Sequence, residues 1–236
     1  MQSLKNAEII LTFATDSLID YLNEGPETQR RLSNVGLDLP SSEIINSKQH
    51  SQWRWLIQSK LHQDIYEKSG AKHYTPFFIR SKDAHRDFWL VHLSGHATAR
   101  DVMVGLHWEQ NTSFAHYGKA GLNMLGYDLD EDPSITGQRP LSNFYFDETA
   151  ESLCVNSLLN EIPDRIAEHK AGIDFDSFFS AWTNTAPATS EIFKLAIRQL
   201  VAFDVLKVTD KTGTIKRTCV QRGSDVISRT RVKYLF

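Results

Sequence analysis

The sequence predicts an α/β protein in two parts. A sheet domain with helices occupies residues 1–140, and a helical connector and winged helix-turn-helix occupy residues 141–236. Three observations predict it. Two β-rich apolar runs, Glu8–Ala14 (EIILTFA) and Phe88–Leu93 (FWLVHL), stand in the first part. In the second, Phe175, Phe178, Phe179 and Trp182 recur at i, i+3, i+4 and i+7, which lays an aromatic stripe along one helix face. The glycine-bearing segment Asp210–Gly213 then separates two β-rich stretches, as a hairpin requires.

Glu8–Ala14 is continuously apolar rather than alternating, the pattern of a strand covered on both faces in a mainly parallel sheet. Asp16 opens a short helix to Leu22, and Gly25-Pro26 stops it. Ser41 or Ser42 caps the next helical stretch, whose stripe is Trp53, Leu56, Ile57, Leu61 and Ile65, and Gly70 ends it. Tyr74–Ile79 and Phe88–Leu93 are strands joined by the polar segment Arg80–Asp87. Pro76 has no N–H to donate and pushes the first strand towards an edge; the second has the stronger core character.

Ala99–Asn111 is a helix whose stripe is Val102, Met103, Leu106 and Trp108, after which Gly118, Gly121 and Gly126 break the periodicity. The acidic segment Asp128–Pro140 is the linker candidate. A short strand at Phe144–Phe146 and a helix capped by Asp147 follow it, and Pro163 is expected to divide that helix before Gly172 marks another boundary. Beyond the aromatic stripe, Pro187 ends helical continuation and Thr189 is the next N-cap. Phe193, Ala196, Ile197, Leu200 and Val201 form the inner face of a second helix, leaving Glu191, Lys194, Arg198 and Gln199 outside. Val205–Thr209 and Thr214–Val220 make the hairpin.

The formal net charge of −3 hides an asymmetry. From Lys194 onward ten Lys and Arg face three Asp, a net of +7, which leaves −10 for residues 1–193. A basic end on an acidic chain is suited to a polyanion. Lys and Arg neutralise phosphates while polar side chains of the second helix reach base edges. Thr189, Lys194, Arg198, Lys211, Lys216, Arg217, Arg222, Arg229, Arg231 and Lys233 are therefore the candidate nucleic-acid contacts. A solvated basic face without a partner, or a winged helix that docks protein, is the alternative.

Cys154 and Cys219 are too far apart and too few for a disulfide framework or a zinc cluster, which favours free thiols and a cytoplasmic address. No segment approaches the ~20 apolar residues that span a bilayer. Four histidines, His92, His96, His107 and His116, are the candidate metal ligands. A spacing of four along an extended chain separates His92 from His96 by ~13 Å, so no metal site is expected. His-Glu-x-x-His, Gly-x-Ser-x-Gly and P-loop motifs are absent, and Phe13-Ala14-Thr15-Asp16 stands where a glycine-rich cofactor turn would follow the first strand.

Three stretches, AEIILTFATDSLIDYL (7–22), FWLVHLSGHATARDVMVGLHWEQNTSFAHYGKAGLNMLGYD (88–128) and TAPATSEIFKLAIRQL (185–200), resemble the distal half of the three-Cys-motif partner proteins. That family is methyltransferase-like and ends in a winged helix. The resemblance implies a partial, Rossmann-type sheet followed by the winged helix, with the cofactor-binding half outside these residues. No cofactor is expected in this chain, and S-adenosylmethionine only with a completing partner. His96, Arg100 and Asn123 match the family pattern and are candidates to line a cleft; no catalytic residue is carried over.

An apolar strand without its usual neighbours invites association. The expected partner is a second copy, a separate methyltransferase-like half, or a radical-SAM-like three-Cys subunit. The function implied is that of a nucleic-acid-binding accessory protein. A subunit of a split nucleic-acid-modifying methyltransferase or metal-dependent nuclease, and a protein-docking scaffold, are the alternatives.

Overall fold

The computed structural model describes residues 7–14, 25–34, 64–65, 67–81, 87–110, 114–116 and 146–230. The chain is mixed α/β with two four-stranded antiparallel sheets, and it divides into two compact units. The described part of the first unit runs to Arg100 and adds Gln110 and 114–116. The second takes Asp101–Glu109 and everything from Phe146 onward. Asp101–Glu109 thus groups with the C-terminal half, although it precedes the linker expected from sequence.

In the first unit β1 (Ile9–Ala14), β2 (His73–Ser81), β3 (Asp87–Ser94) and β4 (Phe114–His116) are ordered β1-β3-β2-β4. The parallel ladder expected of β1 does not form: β1 runs antiparallel to β3, with Ile9 opposite Leu93 and Ala14 opposite Phe88. Burial alternates along β1, for Ile9 and Leu11 are half-buried while Ile10 is 57% exposed. Continuous apolarity had hidden a strand with one open face, because Ile10 sits where a polar residue would have revealed the alternation.

β3 does have core character. Val91 and Leu93 pack with Tyr74 on one face, flanked by Ile9, Leu11, Ile65 and Ala71. The opposite face of the same two strands buries His73, Thr75, His92 and Ser94. β2 is internal by order, yet β4 pairs only with Ile79–Ser81, so Pro76 lies outside that ladder and its missing N–H is tolerated there. Gly70 has φ 61°, as a helix stop requires. Gly25-Pro26 begins a helix: α1 (Pro26–Asn34) has proline as its first residue, where the absent N–H would have had no helical partner. The expected helices at 16–22 and 41–61, the loop glycines 118–126 and the linker 128–140 lie outside the described residues.

α2 (Ala97–Glu109) corrects the expected stripe. Val102 and Leu106 are 61% and 47% exposed, whereas Arg100, Val104 and His107, at i, i+4 and i+7, are buried. A stripe sought among apolar residues cannot find a face built on arginine and histidine. Trp108 Nε1 donates to Pro187 O at 2.9 Å, and Trp108 meets the Phe146 ring edge-on. Phe146 has φ 54° and begins no strand; 144–145 lie outside the described residues.

α3 (Glu148–Ala167) starts as expected, with the Asp147 carboxylate accepting from Ala150 N. It then passes through Pro163 without a break. The proline is buried beside Ile162 and Ile166, on the helix that packs against α5 (Ser190–Ala202). That packing offsets part of the helix-interior cost of proline, about 3 kcal/mol. α4 (Phe175–Trp182) buries Phe175, Phe178 and Phe179 as its stripe demands, and Phe179 meets Phe193 of α5 edge-on at 5.4 Å. Thr189 caps α5, and Ile192, Phe193, Ala196, Ile197 and Leu200 are its buried face.

The second sheet is ordered β5 (Ile173–Asp174), β8 (Val226–Arg229), β6 (Leu206–Thr209), β7 (Lys216–Arg217). β7 is shorter than the expected Thr214–Val220, while β5 and β8 lacked the length or turn signals that mark a strand in sequence. Gly172 joins α3 to β5 at φ +84°, where an added Cβ would lie 2.8 Å from Ile227 O. Only glycine fits there.

Candidate nucleic-acid interface

Residues directly opposite in a ladder point to the same side of a sheet, and neighbours along a strand alternate. Lys207 is opposite Ser228, and Thr209 is opposite both Lys216 and Val226. Lys207, Thr209, Lys216 and Ser228 therefore share one face. Leu206, Val208, Ile227, Arg217 and Arg229 share the other, with Leu206, Val208 and Ile227 buried and Arg229 exposed at the strand end. The alternation divides the candidate cations: Lys216 projects to solvent, while Arg217 turns inward.

Arg217 is committed to the fold. Its Nε lies 3.0 Å from Asp225 Oδ1 without the alignment of a hydrogen bond, and its Nη1 donates to Gln221 Oε1. Asp225 is 1% exposed and also accepts from the backbone N–H of Gln221 and Arg222. Arg217 is thus corrected from a phosphate contact to the counter-ion of a buried acid. Lys194 is half-occupied as well, since its Nζ is 2.7 Å from Glu191 Oε1 and 5.6 Å from the Phe175 ring centroid.

Thr189 spends its hydroxyl on Ile192 N as a helix cap. The next residue is closed off by α2: Ser190 N and Oγ both donate to the Asp101 carboxylate, at 2.7 and 2.6 Å. The start of α5, where a recognition helix would present its first turn, is therefore already paired with an acid.

Arg198, Lys211, Lys216, Arg222 and Arg229 are exposed, as is Lys207, and none of the six holds an ion pair among the described residues. Lys207 was absent from the sequence-derived contacts, although the alternation Leu206-Lys207-Val208 marks it as outward. Arg231 and Lys233 lie outside the described residues. The hairpin that carries Lys211 and Lys216 is held by Asp210, whose carboxylate accepts from Thr212 N, Thr212 Oγ1, Thr214 N and Ile215 N. These bonds, the Thr212 hydroxyl first, hold the Asp210 carboxyl below its ordinary value.

The cleft candidates His96 and Arg100 do not share a surface. Arg100 is fully buried, His96 is exposed, and Asn123 lies outside the described residues. Of the metal candidates, His92 and His107 are buried in different units, and the His116 side chain is outside the described set. Among the described residues no three His, Cys, Asp or Glu are placed to hold a metal ion. His92 Nε2 is 3.7 Å from Glu8 Oε2; burial lowers its pKa, Glu8 acts to raise it and Arg100 to lower it. Cys154 is buried and Cys219 partly so, both free thiols, and burial pushes the Cys154 thiol far up. Among the described residues no helix is long and apolar enough to cross a membrane.

No family model, no curated protein and no solved structure matches this chain.

Proposed function

We propose that the chain is a nucleic-acid-binding accessory protein of the three-Cys-motif partner type, a cytoplasmic protein whose α4, α5 and β6–β7 hairpin form a winged helix-turn-helix on DNA or RNA. The observation that carries this is the set of six exposed cations, Arg198, Lys207, Lys211, Lys216, Arg222 and Arg229, without ion pairs among the described residues, on a chain that is acidic elsewhere. Unpaired surface cations of one sign attract a polyanion and release its counterions on contact. With the start of α5 paired to Asp101, the hairpin and its outward strand face supply the main contacts, and α5 contributes through Arg198.

Direct binding tests this. Fluorescence anisotropy with generic duplex and single-stranded oligonucleotides should give affinities that fall steeply between about 50 and 200 mM salt. The absence of binding to every oligonucleotide at low salt would overturn it.

A specific observation favours the protein-docking alternative, namely the pairing of Ser190 with Asp101 at the end of α5 that would read bases. Under that alternative the cations meet an acidic protein, and oligonucleotide binding is absent. The partner proposed for the first unit is a second copy of the chain or a methyltransferase-like or radical-SAM-like subunit. Ile10, 57% exposed on an edge strand, is the residue it would cover.

A further inference from the structure

Two carboxylates stand at the first turn of α5, the turn that a base-reading helix brings into a groove. Asp101 accepts from Ser190 N at 2.7 Å and from Ser190 Oγ at 2.6 Å. Glu191, its side chain 79% exposed, lies 2.7 Å from Lys194 Nζ. These pairings take up the donors that would otherwise meet nucleic acid there. Ser190 gives both its protons to one acid, and the nearest cation along the helix is neutralised by the other. A groove walled by phosphates repels two carboxylates brought against it.

The outward face of the second sheet has the opposite character. Lys207 and Lys216, both exposed, are diagonal neighbours across β6 and β7, a relationship that sets them roughly 7–8 Å apart. Thr209, Val226 and Ser228 complete that face, so it carries no acid. It also carries no Asn or Gln to read adenine and no aromatic ring on which an unpaired base would stack. β6 is flanked on both sides, by β7 and β8, so the face is wider than the two-stranded ribbon that a major groove admits. What remains is phosphate and sugar contact by lysines and hydroxyls, which positions a duplex without reading it.

We propose that the ligand is the sugar–phosphate backbone of a duplex, bound without regard to base sequence, and that Asp101 and Glu191 keep α5 out of the groove. This rests on the nucleic-acid reading above and adds the form of the ligand and the two residues that set its indifference to sequence. Lys207 and Lys216 take phosphates, with Thr209 and Ser228 beside them on the same face.

Competition against a labelled duplex of mixed sequence tests it. Unlabelled duplexes of unrelated sequence should compete within about threefold of one another, since only phosphate contacts are made. Single strands of equal length should compete about tenfold less well, having no ring to stack on. DNA and RNA duplexes form separate arms, and flat competition within either supports the backbone reading and names its source. Asp101→Asn keeps an acceptor for Ser190 and removes the charge, and Glu191→Gln does the same for an exposed side chain. Each should tighten duplex binding about threefold at low salt, and the gain should fade by about 200 mM as screening takes over. Glu191→Gln, at an exposed site, reads the effect even where Asp101→Asn unfolds the second unit. A preference of about tenfold or more for one duplex sequence, or single strands bound as tightly as duplexes, would overturn the backbone reading. Unchanged or weaker binding by Glu191→Gln would overturn the exclusion of α5 by its acids. No binding to any oligonucleotide would overturn this inference and the proposed function together.

Discussion

Arg217 and Asp225 form an inward-facing ion pair, Nε to Oδ1 at 3.0 Å, in which the acid is 1% exposed and the guanidinium only slightly more open. The same carboxylate holds the amides of Gln221 and Arg222, and the Asp225 carbonyl accepts from Phe175 N. The pair thereby fastens the 221–225 loop to the first turn of α4. Arg217→Ala leaves a buried charge without its counter-ion and should destabilise the second unit by about 3 kcal/mol. Asp225→Ala should cost more, because two amides lose their acceptor as well. Urea unfolding at unchanged m-value reads both, and a loss under about 1 kcal/mol for Arg217→Ala would show that the pair is not structural.

Pro163 sets a helix-breaking residue against its own burial. Alanine would restore the N–H and remove about 3 kcal/mol of helix penalty, while losing two methylenes' worth of packing, about 1.6 kcal/mol. Pro163→Ala should therefore raise stability by about 1 kcal/mol, visible as a higher urea midpoint. A destabilised variant would mean that the ring fills a space alanine leaves empty.

His92 makes the first unit sensitive to acid. Its folded pKa lies below the ordinary 6.5, chiefly through burial, so near that pH the unfolded chain binds more protons than the folded one. Stability from this residue is present above about pH 6.5 and is lost as pH falls from there towards the folded value, with Glu8 and Arg100 the charged groups acting on it. His92→Gln should flatten the fall in melting temperature between about pH 7 and 5. An unchanged profile would assign the acid sensitivity to other groups.

The second unit was legible in sequence to the extent that its helices are amphipathic. Phe175, Phe178 and Phe179 announced α4, and Asp147 and Thr189 announced caps that form as expected. Local chemistry suffices for such features. Pairing does not follow from it. The antiparallel partner of β1, the two-residue strand β5 and the inward turn of Arg217 all depend on residues distant in the chain. Charge counting placed Lys216 and Arg217 together, whereas one position along a strand sends them to opposite faces. Asp101, 89 positions from Ser190, had no sequence signal to connect it with α5.

The outward cations are the centre of the account, and the salt dependence of duplex binding in Lys207→Ala/Lys216→Ala tests them most directly. The slope of log affinity against log salt should fall in magnitude by about two relative to wild type, one for each phosphate contact removed. An unchanged slope in a correctly folded double variant would contradict the assignment of these lysines to a nucleic-acid backbone.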